Sequence, residues 1–245
     1  MYKKGLYKIK SNKKIANQVY EMILEGETKY IKKPGQFINI KIDGFYLRRP
    51  ISICEYNENE IKIIYKVVGE GTEVLSSYKE GKMLDILTGL GNGFETNNSG
   101  ETPLLIGGGV GTPPMYELCK ELRKANKNVI VVLGFNSKED VFYEEEFKKL
   151  GADVYVTTVD GTYGVKGFVT DVIKTLNDYS YFYCCGPIPM LKAVYNETNT
   201  SGELSFEERM GCGFGACMGC SCKTKNGNKR ICLNGPVLKK EEIIW

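Results

Sequence analysis

The sequence predicts a three-part protein: an N-terminal antiparallel β-barrel, a parallel, doubly wound α/β domain and a C-terminal cysteine segment. The barrel is indicated by short runs of β-branched residues that glycine and proline separate. The α/β domain is indicated by buried strands that alternate with helical patterns from residue 103 onward. Four cysteines set among glycines define the last part. We therefore expect the parts at residues 1–97, 98–203 and 204–245, with a polar linker at residues 95–102.

The composition excludes several classes of protein. The 245 residues are 42% hydrophobic and 26% charged, as in ordinary globular proteins, and a net charge of +3 gives no case for a nucleic-acid partner. The absence of histidine excludes a Rieske centre and histidine general-base catalysis. The basic N-terminus lacks the apolar region of a signal peptide, and no run of about 18 apolar residues predicts a membrane span. Nine cysteines then indicate a reducing cytoplasm and metal binding rather than disulfides.

The predicted barrel has clear strands at residues 36–42, 51–54 and 61–68, and two features that could bind phosphate. Arg49 precedes a strand that includes Ser52, and a guanidinium beside a hydroxyl can hold a phosphate. Backbone N–H groups where Gly71 and Thr72 open the next helix can hold a second phosphate face. Paired arginines are also typical of a solvated strand edge, and this segment alone favours that simpler interpretation.

The α/β domain begins with a strand at residues 104–106 that runs into a glycine-rich turn. The turn contains Gly108, Gly109 and Gly111, and Thr112 follows with two prolines, which are favoured in the first turn of a helix. Backbone N–H groups at such a turn, together with the helix dipole, suit a pyrophosphate. The spacing is not the strict G-x-G-x-x-G, so the turn alone is a weak signal.

Further strands are expected at residues 129–133, 153–157 and 181–185, with helices near 144–150, 169–176 and 190–196. The last strand ends at Cys184 and Cys185 and runs into Gly186 and Pro187. Ligands of open α/β sheets bind at the carboxyl ends of strands. Because the two cysteines point to opposite faces, only one of them can face such a crevice, and a simple buried thiol is the alternative.

The cysteine segment carries the most specific motif. Cys212, Cys217, Cys220 and Cys232 form the pattern C-x4-C-x2-C…C, which is the spacing of a plant-type [2Fe–2S] loop. The flanking glycines let a short loop wrap closely around a cluster and leave N–H groups free for its sulfurs. Four thiolates also satisfy zinc, but zinc sites usually combine two C-x2-C pairs, and only Cys217 and Cys220 form one here. A disulfide framework fits shorter, secreted chains. Cys222 is a fifth thiol, either a bystander or a substitute ligand.

Together these motifs resemble the ferredoxin-reductase superfamily and, within it, the electron transfer subunits of class 1B dihydroorotate dehydrogenases. The resemblance runs nearly from end to end, and it includes a barrel-closing turn at residues 89–94 and a cluster signature at residues 205–212 and 232–237. It implies FAD-binding residues Arg49, Pro50, Ile51, Ser52, Ile64, Tyr65, Lys66, Gly71 and Thr72. It implies NAD-binding residues Gly108, Gly109, Gly111, Thr112, Asp160, Cys185, Gly186 and Pro187, and cluster ligands Cys212, Cys217, Cys220 and Cys232.

Two positions depart from the family pattern. The interval between Cys220 and Cys232 is short, so the loop of the last ligand could differ. Asn234 stands where the family often has aspartate, which could weaken a local hydrogen bond without affecting ligation.

Asp160 bears on the choice of nucleotide. It stands where NADP-specific relatives usually have arginine. A carboxylate repels a 2′-phosphate and suits a ribose diol, so we expect NAD rather than NADP.

The resemblance implies a role in pyrimidine biosynthesis. The partner would be an FMN-binding catalytic subunit that oxidises dihydroorotate, in a heterotetramer of two plus two subunits. Electrons would pass from FMN through the [2Fe–2S] cluster and FAD to NAD⁺. Such a chain needs no catalytic acid, base or nucleophile of its own, since its cofactors carry the reactive atoms.

Three other interpretations remain open at this point. The chain could be the flavin and [2Fe–2S] subunit of an NADH-dependent ferredoxin:NADP oxidoreductase or of a sulfide dehydrogenase. It could be a stand-alone diaphorase with no obligate partner. It could also be a non-enzymatic, zinc-stabilised interaction module, which would purify colourless and without FAD.

Overall fold

A computed structural model describes residues 2–245, and its first part is a closed, six-stranded antiparallel barrel. The strands are β1 (Lys3–Ala16), β2 (Val19–Glu25), β3 (Phe37–Ile40), β4 (Arg49–Tyr56), β5 (Glu60–Lys66) and β6 (Met83–Leu90), with helix α1 (Glu70–Ser77) between β5 and β6. Around the barrel the order is β1-β2-β5-β4-β3-β6. Strand β4 therefore lies between β3 and β5, an arrangement that matters for the site below.

The barrel closes around alternating apolar side chains. Ile9, Met22, Ile38, Ile61 and Ile63 have no exposed surface. Burying each such side chain contributes about 1.5–3 kcal/mol relative to leaving it in water. The strand period of two places the remaining residues on the outer surface, where they contact the rest of the chain.

The second part is a parallel sheet with helices packed against it. Its elements are β7 (Pro103–Gly108), α2 (Thr112–Lys124), β8 (Ile130–Phe135), α3 (Glu144–Lys149), β9 (Asp153–Thr158), β10 (Val165–Lys166), α4 (Val169–Ile173), β11 (Tyr181–Cys185), α5 (Ile188–Glu197) and β12 (Gly202–Ser205). The order is β10-β9-β8-β7-β11-β12. The chain moves outward from β7 in both directions, so a ligand crevice is expected outside the carboxyl end of β7.

The cysteine segment joins both other parts. It contains β13 (Ser221–Thr224), β14 (Gly227–Arg230), α6 (Ile231–Asn234) and β15 (Val237–Lys239). Strand β15 pairs antiparallel with β12 at the edge of the parallel sheet. The Asn92 amide, at the end of the barrel, donates to the Val237 carbonyl at 2.7 Å and accepts its N–H at 3.1 Å. Strand β12 crosses the boundary expected at residues 203/204, and the domain limits stay a prediction.

Polar contacts connect the barrel to the parallel sheet. The Tyr143 hydroxyl donates to Glu21 of the barrel at 2.7 Å, and the Lys120 ammonium lies 2.6 Å from Glu55. Among residues 2–245, no helix is long and apolar enough to cross a membrane.

Candidate functional site

The four cysteines of the predicted cluster lie in and beside one tight loop, residues 211–220, which we call the cysteine loop. Backbone N–H groups of Ala216 and Cys217 donate to the Cys212 sulfur at 3.2 and 3.5 Å. The N–H of Cys232 donates to the Cys220 sulfur at 3.4 Å. Such N–H···S bonds stabilise thiolates and set the potential of an iron–sulfur cluster.

The four thiols are grouped as two pairs. The Cys217 thiol lies close enough to Cys212 to act on its pKa, and the Cys220 thiol does the same to Cys232. Burial acts to raise the pKa of Cys212, but the N–H groups around it prevail and lower the pKa to about 6. Burial, followed by the neighbouring Cys220 thiol, raises the pKa of Cys232 to about 12. In residues 2–245, no three Cys, Asp or Glu side chains converge as they would around one metal ion.

The glycines of the cysteine loop leave room around these sulfurs. A Cβ on Gly211 would lie 3.2 Å from the Cys217 sulfur. Gly213 has φ +81°, which side chains rarely adopt. The four thiols lie in two pairs, the backbone approaches them without side chains, and N–H groups point at the Cys212 and Cys220 sulfurs. This arrangement fits a [2Fe–2S] cluster, in which two thiolates bind each iron.

The short interval before Cys232 forms a compact hairpin. Strands β13 and β14 fill it, and Cys222 lies half-buried on β13 opposite Lys229. Burial raises the pKa of the Cys222 thiol. The Arg230 guanidinium donates to the Gly215 carbonyl at 2.6 Å and so ties the hairpin to the cysteine loop. Asn234 accepts the Arg230 N–H at 3.1 Å, so the amide at this position still makes a local hydrogen bond.

In the barrel, the guanidinium of Arg49 covers the start of helix α1. A Cβ on Gly71 would lie 2.5 Å from Arg49 Nε, so glycine permits this approach. The Thr72 hydroxyl accepts the N–H groups of Val68 and Gly69 at 3.0 and 3.3 Å and fixes the turn before the helix. A cation held beside the N-terminus of a helix is suited to a phosphate group.

The other predicted FAD residues lie on β4 and β5 and point in different directions. Pro50 faces Asn39 of β3, Ile51 faces Ile38, and Ser52 faces Phe37 across the β3–β4 ladder. On β5, the Tyr65 hydroxyl donates to Asn12 at 2.9 Å, and the ring packs in the barrel interior. Ile64 is buried on the opposite face, toward the parallel sheet, together with Phe94.

A cleft of about 610 Å³ opens at the carboxyl ends of β7, β8 and β9, against the barrel. Gly108, Gly109 and Pro187 line it, as does Lys66 from β5. The Lys66 ammonium lies 3.7 Å from Asp140, which also lines the cleft. The cleft therefore has walls from both the barrel and the parallel sheet.

The remaining nucleotide residues lie behind or beside this cleft. A Cβ on Gly111 would lie 2.2 Å from the Cys185 carbonyl oxygen, so Gly111 allows the β7–α2 turn to pack on β11. Gly186 packs against Met190 of the cleft wall, where a Cβ would lie 2.4 Å from its methyl group. Thr112 is fully buried, and its hydroxyl has no hydrogen-bond partner. Asp160 is exposed beyond β9, where the Thr162 N–H and hydroxyl lower its pKa.

The sequence did not assign two residues of the cleft to a nucleotide site. Phe168 lines it and is 62% exposed, an unusual state for a phenylalanine, and only its position after a glycine in a loop could have suggested a binding role. Glu207 is accessible from the cleft, yet the surrounding walls desolvate its carboxyl and raise its pKa. The Cys185 thiol, hydrogen-bonded to Ser205 and close to Glu207, has a pKa raised to about 12 by burial.

Comparison with known proteins decides the family. A model of the iron–sulfur cluster binding domain of dihydroorotate dehydrogenase B matches residues 207–244, and an oxidoreductase NAD-binding domain matches residues 105–196. The dihydroorotate dehydrogenase B (NAD⁺) electron transfer subunit of Fusobacterium nucleatum is 46% identical over 96% of both chains. That of Bacillus velezensis is 47% identical over 98% of this chain and 99% of its own. The chain belongs to this family. It is thus an electron transfer subunit of an oxidoreductase, and such a subunit serves a catalytic partner.

The family agrees with the fold. A solved NADH-dependent reduced ferredoxin–NADP oxidoreductase is 30% identical, with a TM-score of 0.89 over 98% of this chain and 90% of its own. Phthalate dioxygenase reductase, at 19% identity and a TM-score of 0.64, shares the fold over 79% of this chain and 64% of its own. The predicted superfamily, the fold class and the electron-transfer role are confirmed, and the two family models agree with the predicted iron–sulfur and NAD chemistry.

Proposed function

We propose that this chain carries electrons from the catalytic subunit of a dihydroorotate dehydrogenase to NAD⁺. The observation that carries the proposal is the order of strands in the barrel. Strand β4, with Arg49 to Ser52, has β3 on one side and β5 on the other. Asn39 of β3 contacts the cysteine loop, and Lys66 of β5 lines the cleft. A flavin on β4 would therefore lie between the cluster and the nucleotide.

The barrel residues would hold FAD. Arg49, beside Gly71 and Thr72, supplies a positive charge and helix N–H groups for the pyrophosphate. Pro50, Ile51 and Ser52 continue the same strand and would support the ring system. Ile64, Tyr65 and Lys66 would contribute mainly through the β5 backbone, because the Tyr65 ring packs inside the barrel.

The cleft would hold NAD. Gly108 and Gly109 expose backbone to the pyrophosphate, while Gly111 and Thr112 shape the turn behind them. Cys185, Gly186 and Pro187 would form the wall facing the nicotinamide. Asp160 would accept the ribose hydroxyls, and the exposed ring of Phe168 is placed to stack on a base.

The reaction then balances without a catalytic residue from this chain. Oxidation of dihydroorotate to orotate releases two electrons and two protons, and reduction of NAD⁺ takes up two electrons and one proton. One proton is released. Bound FAD supplies the conversion between single electrons and a hydride. The chain holds the cofactors in sequence: Cys212, Cys217, Cys220 and Cys232 bind the cluster, and the apolar walls of the cleft exclude water from the nicotinamide.

The partner would dock beside the cysteine loop. Apolar side chains are exposed there: Met218 (56%) and Leu233 (45%) flank the cysteines. Tyr2 stacks on Phe214 of the loop at 4.8 Å and is 45% exposed. Clustered exposed apolar groups are typical of a protein interface. We propose an FMN-binding catalytic subunit on this surface, in a heterotetramer of two plus two subunits.

The test is the visible spectrum of the anaerobically purified protein, with iron, zinc and released-flavin analysis. We expect about one FAD and about two irons per chain and bleaching by NADH. Zinc without flavin would overturn the proposal in favour of the non-enzymatic module.

The second candidate is the ferredoxin-coupled activity named for the structural relative at 30% identity. Purification with the native partner separates the two. Dihydroorotate-dependent reduction of NAD⁺ by the complex supports the first function, whereas ferredoxin-dependent reduction alone supports the second.

A further inference from the structure

The side chain of Asn39 on β3 bridges the barrel and the cysteine loop. Its amide nitrogen donates to the carbonyl oxygen of Cys212 at 3.4 Å, across 173 residues of sequence. The backbone carbonyl of Asn39 accepts from the Arg48 guanidinium at 3.4 Å, and that guanidinium also donates to the Asp85 carboxylate at 2.8 Å. Asn39 therefore connects the first cysteine of the cluster motif to the strand next to β4.

The contact is close enough to constrain both partners. A Cβ on Gly213 would lie 2.4 Å from the amide nitrogen of Asn39, so the loop passes directly over this side chain. Gly213 also has φ +81°, which lets the chain turn immediately after Cys212. A side chain at position 213 would displace the Asn39 amide from the loop backbone.

The rest of the Asn39 amide is costly to bury. Asn39 has no exposed surface, and its side-chain oxygen has no hydrogen-bond partner. An unsatisfied buried polar group destabilises the folded state, because it loses its hydrogen bonds to water without replacing them. Its neighbours on this outer face of the barrel, Phe37 and Leu87, are apolar. Packing alone would thus favour leucine at position 39.

We propose that Asn39 is a positioning residue for electron transfer, which fixes the Cys212 end of the cysteine loop against the barrel and so sets the separation between cluster and flavin. The proposal rests on the function proposed above. The unpartnered amide oxygen of Asn39 lowers the stability of the fold, whereas the amide nitrogen fixes the position of the cysteine loop. Asn39 takes no part in the chemistry and need not touch either cofactor.

The test replaces Asn39 with leucine, which has a similar shape and no hydrogen-bonding groups, in the full chain loaded with its cofactors. We expect cluster and FAD contents to match the wild type and the melting temperature to be equal or higher. Hydrogen exchange at the backbone N–H groups of the cysteine loop should be faster by about two- to tenfold, the change expected for one hydrogen bond. NADH delivers two electrons to the flavin as a hydride, and the cluster then accepts one electron at a time. After mixing with NADH, bleaching of the cluster should lag further behind reduction of the flavin than it does in the wild type.

A purely structural role predicts a different result. Asn39→Leu would then change only the melting temperature, with loop exchange and cluster bleaching as in the wild type, and that outcome would overturn the proposal. Wild-type protein that lacks iron and flavin would instead remove the proposed function itself. The two failures are therefore distinguishable.

A paired set of glycine variants tests the contact independently. Gly213→Ala introduces both φ strain and a clash with Asn39, whereas Gly44→Ala, also at φ +81° but with nothing within 4 Å, introduces the strain alone. We expect Gly213→Ala to lose more cluster than Gly44→Ala, and Asn39→Ala to restore part of that loss in the double variant. Equal losses in the two single variants, or no restoration, would contradict the contact.

Discussion

The cysteine loop and the nucleotide cleft are built in opposite ways. The cluster ligands come from one short stretch, and neighbouring residues such as Arg230 and Gly215 complete their surroundings. The cleft is assembled from distant positions: Lys66 comes from the barrel, Phe168 from a loop of the parallel sheet and Glu207 from the start of the cysteine segment. A locally encoded site should therefore be lost chiefly through substitution of its own residues. A site assembled from several elements should be sensitive to the packing beneath it.

The largest expected effect is the loss of the cluster in Cys217→Ser. Cys217 is exposed, so the substitution removes a thiolate without opening a core cavity. We expect the visible cluster bands to disappear while the released-flavin content stays near one per chain. Cys222→Ser is the matched control, since Cys222 lies on the hairpin and should leave the bands unchanged. If the bands survive in Cys217→Ser, or vanish in Cys222→Ser, Cys217 is not the ligand that we assign.

The cleft should instead be disrupted by Gly111→Ala, in the β7–α2 turn that packs behind it. The new Cβ would meet the Cys185 carbonyl at 2.2 Å and the Gly186 nitrogen at 2.7 Å, and backbone atoms cannot move aside as a side chain can. We expect a loss of about 3 kcal/mol in the free energy of unfolding, at the upper end for overpacking. NADH affinity, measured by titration, should fall, while the cluster spectrum stays intact. Unchanged NADH affinity would show that this turn does not shape the cleft.

The same contrast explains what the sequence could predict. The barrel, the alternating strands and helices, and the cysteine spacing are local patterns, and the fold class and family inferred from them are confirmed. The helix expected near residues 169–176 is α4, which ends earlier, at Ile173. Helix ends are the least certain part of such a pattern, because the last turn often frays into looser hydrogen bonds.

Contacts between distant segments have no such local pattern in the sequence. Nothing in the sequence pairs β15 with β12, or brings Lys66 of a predicted flavin strand to the wall of the cleft. Glu207 belongs to the cluster signature in the sequence and becomes a cleft residue only through folding. The assignment of individual residues to FAD and NAD stays a prediction, since it depends on which side chains face the ligand.

A smaller effect is expected at the rim of the cleft, from Asp160→Arg. The carboxylate accepts the Thr162 N–H at 2.9 Å and its hydroxyl at 2.7 Å, so the charge is fixed near the end of β9. Arginine should attract a 2′-phosphate and shift the ratio of NADPH to NADH rates by about tenfold, equivalent to about 1.4 kcal/mol. Asp160→Asn keeps an acceptor for the turn and removes the charge, so its ratio should be intermediate. Identical ratios in all three proteins would remove Asp160 from nucleotide selection.

The smallest expected effect concerns Glu203 on β12, the strand that joins the parallel sheet to the cysteine segment. Glu203 is 1% exposed; it accepts the Glu95 N–H at 2.9 Å and the Tyr181 hydroxyl at 3.3 Å. Burial raises its pKa, although these hydrogen bonds act to lower it. The unfolded chain then binds fewer protons than the folded one between the ordinary and the raised pKa, so stability falls as pH rises through that window. Glu203→Gln keeps an acceptor and cannot ionise.

The Gln variant should therefore match the wild type in acid, where Glu203 is protonated in both states. It should be more stable than the wild type at neutral pH, where the buried carboxylate is charged. Urea unfolding at a series of pH values measures the difference. Because β12 pairs with β15 on one side and with β11 on the other, the added stability should protect both the cysteine segment and the cleft. A variant less stable than the wild type at neutral pH would mean that the charged form is the one the fold stabilises, and that the two hydrogen bonds outweigh burial.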